Sequence, residues 1–194
     1  MKKSLIIAIL ASLIIIGGCD SKKEVGKNTS VEMSKKTKSK KVEKKNIELG
    51  DYKNLKIGET VPIKYHESAE GKVAFDFTLN KVEFTNKELG GVEPEYESGF
   101  IVLDVTIKNT GEEPLEVDLL TGMKYGTSMV SLGERYGFSD LSESSEMGIK
   151  ESKTGKMVFQ HSKSSNRISW GLEGFTTTFS YDINADEIGD YVPE

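Results

Sequence analysis

Acidic residues near the C-terminus have part of the spacing of a calcium-binding loop. Asp182, Asn184 and Asp186 stand at its first, third and fifth positions, where Ca²⁺ needs oxygen ligands. The sixth position requires glycine but is Glu187, and the twelfth requires glutamate but is Pro193, so the pattern argues against an EF-hand. A different calcium site and a solvated acidic tail both stay open. The candidate metal ligands are Asp182, Asp186, Glu187 and Asp190.

Histidine and cysteine are scarce, with two His and one Cys in 194 residues. One cysteine cannot form a disulfide within the chain, and the composition argues against a Cys- or His-rich zinc centre. His66 or His161 would need a serine and an aspartate brought close by folding, and the sequence contains no nucleophile-elbow pattern. We therefore expect no catalytic residues, no cofactor and no enzymatic activity.

The single cysteine, Cys19, follows an export signal. Two lysines precede an apolar run from Leu5 to Ile16, which is shorter than the roughly 20 residues of a membrane-spanning helix and is typical of a secretory signal. The residues immediately before the cysteine are Ile16, Gly17 and Gly18, and this sequence resembles a bacterial lipobox. The resemblance implies a signal peptide over 1–18, cleavage before Cys19 and a diacylglycerol thioether on its sulfur. The alternatives are an ordinary cleaved signal, or an anchor helix, with an incidental cysteine.

A basic segment over 19–48 separates this cysteine from the rest of the chain. Residues 1–46 carry 12 Lys and four acids (12 − 4 = +8), whereas 47–194 carry 14 basic and 27 acidic residues (14 − 27 = −13). Too few apolar residues lie in 21–45 to build a core, so we expect a disordered tether with a maximum reach of roughly 80–90 Å. Its lysines would contact anionic lipids or wall polymers, or would only keep the linker soluble. We expect no nucleic-acid partner, because the segment lacks interleaved aromatic residues and follows an export signal.

From about residue 49 onward, apolar and polar residues alternate, as is typical of half-buried strands. The parity of the apolar residues changes near Asn80 and Lys81, which predicts either a β-bulge there or a strand that leaves one sheet for another. No window of comparable strength has helical periodicity. The predicted strands are 57–63, 73–84, 100–108, 115–119, 123–132, 157–159, 168–172 and 177–181. About eight short strands joined by Gly-rich turns predict an all-β sandwich over 49–194.

Several of these segments resemble a known family. They are KIGETV at 56–61, FTLNKVE at 77–83, FIVLDVTIKNTG at 100–111 and GKMVF at 155–159. They are similar to the telokin-like lipoproteins of Gram-positive bacteria, which are related in fold to a secreted mycobacterial immunoprotective antigen. The resemblance covers roughly residues 50–182. It implies an immunoglobulin-like β-sandwich outside the cell and carries no catalytic or ligand-binding residues.

Loops at the ends of a sandwich are common binding sites. The stretch 139–152 is predicted to be a mobile loop, and Tyr136 and Phe138 at its entrance are candidate partner-facing residues, with packing on an edge strand as the alternative. Trp170 is predicted to lie in the core, with a sugar-binding position at the end of the sandwich as the alternative. Together these patterns predict a lipoprotein on the outer face of the bacterial cytoplasmic membrane, with a domain that binds an envelope protein or an extracellular ligand. A calcium-responsive module with acidic loops is the alternative function.

Overall fold

The computed structural model describes residues 48–66, 72–95, 98–142 and 144–193, all of which belong to one compact unit. The predicted signal peptide, Cys19 and nearly all of the predicted tether lie outside these residues. Within them, no helix combines the length and apolar character that a membrane span requires.

The described residues form strands and three short 3-10 helices. Seven strands have five residues or more, and six have two. The strands are β1 (Asp51–Leu55), β2 (Thr60–Lys64), β3 (Ala74–Thr85), β4 (Phe100–Asn109), β5 (Leu115–Glu116), β6 (Lys124–Tyr125), β7 (Ser128–Met129), β8 (Ser131–Leu132), β9 (Glu146–Met147), β10 (Ser152–Gln160), β11 (Asn166–Trp170), β12 (Thr178–Ile183) and β13 (Gly189–Asp190). The 3-10 helices are Val117–Gly122, Gly133–Tyr136 and Ala185–Glu187.

Two sheets face each other across the main core. Sheet I has the order β1-β12-β11-β6-β7, and sheet II has the order β13-β3-β4-β10-β8, with β2 also paired to β3. The strands β5 and β9 form a separate pair. The long antiparallel pairings of β3 with β4 and of β4 with β10 form the centre of sheet II. The predicted all-β sandwich is confirmed.

The predicted β-bulge in β3 is also confirmed. Leu79 pairs with Val105 and Lys81 with Asp104, so the register shifts by one residue between them. Phe77 and Leu79 are buried before the bulge, and Val82 is buried after it. Because side chains alternate along a strand, the extra residue keeps both halves of β3 directed at the core.

Aromatic side chains from both sheets meet in the main core. The ring of Phe77 on sheet II stacks on Phe179 on sheet I at a centroid distance of 5.1 Å. Trp170 lies 5.9 Å from Phe179 and 6.1 Å from Phe75, and its indole Nε1 donates a hydrogen bond to the carbonyl of Leu119 at 3.1 Å. The core position predicted for Trp170 is therefore confirmed.

A second apolar cluster lies on the opposite face of sheet II. Phe100, Val102 and Val158 alternate along their strands with main-core residues, so they point away from sheet I. Leu89 and Tyr136 from the loops cover them. One end of the outer face of sheet II is thus buried beneath loops.

The turn after β4 is fixed by a buried asparagine. The side-chain amide of Asn109 donates to the carbonyl oxygens of Glu113 at 2.8 Å and Met147 at 3.1 Å, and its Oδ1 accepts from the Gly111 N–H at 2.9 Å. Gly111 lies so close to the chain before β3 that a Cβ on it would stand 2.1 Å from the carbonyl oxygen of Lys72. Asn109 therefore joins three backbone segments at this end of the sandwich.

Three predicted strands and one predicted loop differ from the structure. The strand expected over 115–119 is only β5, followed by a 3-10 helix whose Val117 and Leu120, three residues apart, are both buried. The strand expected over 123–132 is divided into β6, β7 and β8 by turns. The strand expected over 168–172 ends at Trp170, because Gly171 takes a φ of 106° that a regular strand does not permit. The stretch 139–152, predicted to be a loop, also contains β9.

The outer strands of the sandwich carry irregularities. In β1, at the edge of sheet I, Asn54 has a φ of 56°, and the pairing with β12 shifts between Tyr52 and Leu55. In β2, Pro62 occupies the middle of the strand. The other outer strands, β7, β8 and β13, have two residues each.

Candidate functional site

The four candidate metal ligands occupy separate positions near the end of the chain. Asp182 forms two hydrogen bonds with Arg167, at 2.6 and 3.2 Å. Glu187 accepts from the backbone and side-chain nitrogens of Asn184, both at 2.8 Å, and so caps a 3-10 helix. Asp190 lies 3.0 Å from Lys163, and Asp186 is exposed.

Three of these acids already have a hydrogen-bonding or ionic partner: Arg167 for Asp182, Asn184 for Glu187 and Lys163 for Asp190. The hydrogen bond from Arg167 holds the pKa of Asp182 below its ordinary value, and the bonds from Asn184 do the same for Glu187. Within the described ranges, no three His, Cys, Asp or Glu residues are grouped as a metal site would require. Calcium binding stays a prediction.

The two histidines lie at strand ends. His161 follows β10, its ring stands 5.0 Å from the ring of Tyr125, and its Nδ1 is 2.9 Å from the carbonyl oxygen of Ser162. The backbone N–H of His66 donates to the Phe175 carbonyl at 2.7 Å. These contacts are structural and include no hydroxyl or carboxylate partner for either ring in the described part of the chain.

The two candidate partner-facing aromatics belong to the second apolar cluster. Tyr136 is 4% exposed and packs edge-to-face on Phe100 at 5.2 Å. Phe138 is half-buried, and its ring lies 5.9 Å from that of Tyr191. These contacts agree with the packing alternative, because the Tyr136 ring offers almost no surface to a partner.

The outer face of sheet II carries a polar network. Asp104 accepts hydrogen bonds from Lys156 at 2.6 Å and from Asn80 at 2.9 Å. Burial opposes ionisation of Asp104, but these two hydrogen bonds outweigh it and hold the pKa of this carboxyl below its ordinary value. Asn80 also donates to Thr106, which in turn lies 2.8 Å from Thr154. The network satisfies its own hydrogen-bonding groups and leaves little for a ligand.

A cleft of about 600 Å³ lies on the outer face of sheet I. Ser169 and Ser180 are paired across β11 and β12 and form its floor, since they alternate with the core residues Trp170 and Phe179. Neither serine hydroxyl takes part in a hydrogen bond with the described residues. The floor therefore offers two hydrogen-bonding groups to a ligand.

Basic side chains flank this floor on both sides. Lys124 of β6 is directly opposite Ser169, and no ion pair joins it to another described residue. On the other side, Lys53 of β1 lies 2.6 Å from Asp51. Hydrogen bonding to Asp51 raises the pKa of Lys53, and hydrogen bonding to Asp182 raises the pKa of Arg167, which also lines the cleft.

The β11–β12 loop, residues 171–177, contributes Gly171, Glu173, Gly174 and Thr176 to a wall of the cleft. Leu172 is 61% and Phe175 50% exposed, although most large apolar side chains of the described residues are buried. The N–H groups of Phe175 and Thr176 donate to the Leu172 carbonyl at 3.0 and 2.9 Å, and the Leu172 N–H donates to the Thr176 hydroxyl at 2.8 Å. Hydrogen bonds within the loop thus fix its backbone in a conformation that leaves the side chains of Leu172 and Phe175 exposed to solvent.

Sequence reasoning did not find this cleft. Ser169 and Ser180 occupy the polar parity of two predicted strands, which would have placed them on an outer face. Their position beside Lys124 and Lys53 depends on strand order and register, and neither is encoded in the alternation of one strand.

The sequence matches no family model, and it matches no curated protein. Among solved structures, the fold is similar to that of MPT63, a secreted protein from Mycobacterium tuberculosis, with a TM-score of 0.50 and 11% identity over 69% of this chain and 98% of that chain. An uncharacterized β-sandwich protein from Clostridium difficile 630 gives a TM-score of 0.48 and 18% identity, over 72% of this chain and 99% of that chain. The protein ycdA from Bacillus subtilis, provisionally assigned as a lipoprotein, gives a TM-score of 0.40 and 17% identity, over 57% and 37% of the two chains. The similarity to MPT63 shows the fold that both proteins share, a β-sandwich.

Proposed function

We propose that the protein is a lipoprotein on the outer face of the bacterial cytoplasmic membrane, with a β-sandwich that serves as a non-enzymatic binding module. The observation that carries this proposal is the position of Cys19. The only cysteine of the chain stands directly after an apolar run and two glycines, where lipidation requires a thiol. A diacylglycerol supplies two acyl chains, which is about what durable membrane anchoring requires.

The geometry of the domain supports a binding role over catalysis. The two histidines of the chain make structural contacts at strand ends, whereas the cleft on sheet I combines two serine hydroxyls with charged side chains of both signs. Clefts of this size with a few convergent polar groups are the usual form of ligand-binding sites. An envelope protein or an extracellular ligand would be held there by hydrogen bonds and ion pairs.

The test compares wild-type protein with Cys19→Ala in cells, using Ser21→Ala as a matched control beside the cleavage position. We expect wild type and Ser21→Ala to fractionate with membranes and to take up a labelled fatty acid, and Cys19→Ala to do neither. Crosslinking in the same cells, followed by mass spectrometry, would then identify a neighbour that is lost with Cys19→Ala. If Cys19→Ala stays on the membrane as wild type does, the lipid anchor is refuted.

A further inference from the structure

The floor of the cleft on sheet I contains a buried hydroxyl to which no described residue bonds. Ser180 is 8% exposed and lines the cleft, and its hydroxyl has no hydrogen-bonding partner in the described part of the chain. Ser169, directly across from it on β11, is half-buried and its hydroxyl is equally unbonded there. Buried polar groups in proteins are nearly always hydrogen-bonded, and an unmade bond costs free energy. The two hydroxyls therefore mark the floor as a position for a hydrogen-bonding ligand.

The charges around this floor are balanced, but two of them are not paired. Lys53 and Arg167 each lie 2.6 Å from an aspartate, so these two cations are neutralised within the domain. Lys124 on β6 and Glu173 on the β11–β12 loop also line the cleft, and neither forms an ion pair with another described residue. With both aspartates counted, the charges sum to zero (3 − 3). The cleft thus presents one cation and one anion to a ligand.

The two unpaired charges lie on different sides of the floor. Lys124 is directly opposite Ser169, on the β6 side. The pKa of Lys53, on the β1 side, is raised mainly by its hydrogen bond to Asp51 and also by the charge of Glu173, so Glu173 lies within electrostatic range of that side. Neighbouring strands are about 4.8 Å apart, so β6 and β12 are separated by about 10 Å, which is also the length of about three extended residues.

The lining of the cleft suits a peptide better than a sugar or a simple anion. Trp170 and Phe179 are 7% and 2% exposed, so the aromatic residues of the lining offer almost no ring face on which a sugar could stack. A simple anion would pair with Lys124 but would be repelled by Glu173. A peptide main chain carries N–H donors and C=O acceptors, and a serine hydroxyl can bond to either.

We propose that this cleft binds short peptides, of about three residues, by both of their free ends. The C-terminal carboxylate pairs with Lys124, and the N-terminal ammonium pairs with Glu173. The main chain between them bonds to the hydroxyls of Ser169 and Ser180. The inference rests on the binding function proposed above and specifies the ligand class.

The test measures peptide binding by isothermal titration calorimetry, using the chain from residue 19 with Cys19→Ser, which carries no lipid. The probes are trialanine, N-acetyl-trialanine and trialanine amide. We expect trialanine to bind and each blocked form to bind about ten-fold more weakly, because one charge-assisted hydrogen bond is lost. No binding of trialanine, or equal binding of all three peptides, would overturn the proposal. Equal binding of free alanine would also overturn it, because alanine is too short to reach both charges.

Charge variants test which residue contacts which end of the peptide. Lys124→Gln should bind trialanine and its amide equally, and Glu173→Gln should bind trialanine and its acetylated form equally. The matched controls, Lys108→Gln and Glu88→Gln, remove the same charges at exposed sites outside the cleft and should change the affinity less than about two-fold. If a control weakens binding as much as the corresponding cleft variant does, net charge explains the effect and the assigned contact is wrong.

Ser180→Ala separates a ligand contact from a structural one. Since the hydroxyl of Ser180 has no partner among the described residues, its removal should not lower the thermal midpoint of unfolding, but it should weaken trialanine binding about five-fold. A lower midpoint with unchanged affinity would overturn the role of this hydroxyl. The fractionation and crosslinking experiments on Cys19 use no peptide. A failure to bind trialanine therefore refutes this ligand class alone, and leaves the lipid anchor and the binding of another ligand to be judged by those experiments.

Discussion

Replacing Asn109 with alanine should cost the domain a large part of its stability. The side chain is 1% exposed and makes three hydrogen bonds, to the backbone of Gly111, Glu113 and Met147. Each such bond contributes about 1 kcal/mol net, and the stranded backbone groups have restricted access to water, so we expect a loss of about 3 kcal/mol. For a domain of ordinary net stability, this is a substantial fraction of the free energy of unfolding.

Urea unfolding followed by Trp170 fluorescence would measure this loss. The slope of free energy against urea should stay constant while the midpoint falls by about 1–2 M. Asn86→Ala is the matched control, since Asn86 is exposed and makes no hydrogen bond through its side chain within the described residues; its effect should be within about 0.5 kcal/mol.

The change Asn109→Asp separates hydrogen bonding from side-chain volume. It preserves the shape but sets a charged oxygen against two carbonyl oxygens, so it should destabilise the domain at least as much as Asn109→Ala at pH 7. A loss below about 1 kcal/mol for Asn109→Ala, at unchanged slope, would refute the reasoning, because the three bonds would then contribute almost nothing.

Two further predictions concern close packing and pH. Gly111→Ala should lower the midpoint of thermal unfolding strongly, because the new Cβ would stand 2.1 Å from the backbone oxygen of Lys72. Gly58 has a φ of 92° and nothing within 4 Å of an added Cβ, so Gly58→Ala should lower the free energy of unfolding by only about 1 kcal/mol. Equal thermal midpoints for the two variants would contradict this prediction. The pKa of Asp104 is depressed below its ordinary value of 3.8, so its contribution to stability is present above that pH and is lost as the pH falls through the folded-state value. Urea unfolding between pH 7 and pH 2 should therefore show a smaller acid-induced loss for Asp104→Asn than for wild type, and an identical loss would show that this carboxyl contributes nothing to acid sensitivity.

The alternation of apolar and polar residues predicted the long strands, because in these strands the buried residues recur with the two-residue period of strand geometry. Ile101, Leu103, Val105 and Ile107 are completely buried along β4. The change of parity at Asn80 indicates a bulge or a strand that changes sheets, and the pairing of β3 with β4 shows that it is a bulge. In each case the pattern lies in residues that are close together in the sequence. Several strands recognised in this way are enough to predict a β-sandwich.

Short elements and the cleft depend on distant contacts. Leu115, Val117 and Leu119 alternate like a strand, but Val117 and Leu120 are the deeply buried pair, and a spacing of three residues favours a 3-10 turn. Leu172 has the parity of a strand residue but lies beyond the turn at Gly171. The charges around the cleft come from β1, β6, β11 and the β11–β12 loop, so only the assembled sheet shows which of them are neighbours.

The irregular outer strands affect whether copies of the domain can associate through their sheet edges when they are concentrated. Molecules confined to one membrane surface meet far more often than the same number in solution, and an open row of backbone N–H and C=O groups would let their sheets join into fibres. The left-handed Asn54 in β1 and Pro62 in β2 interrupt the two outer strands that are long enough to recruit a copy of the chain. These two irregularities make both edges poor templates for a strand from another copy, and the proposed membrane anchor would make this protection more important. Replacing Pro62 with valine would restore a backbone donor in β2 and should make the protein more prone to associate through this edge.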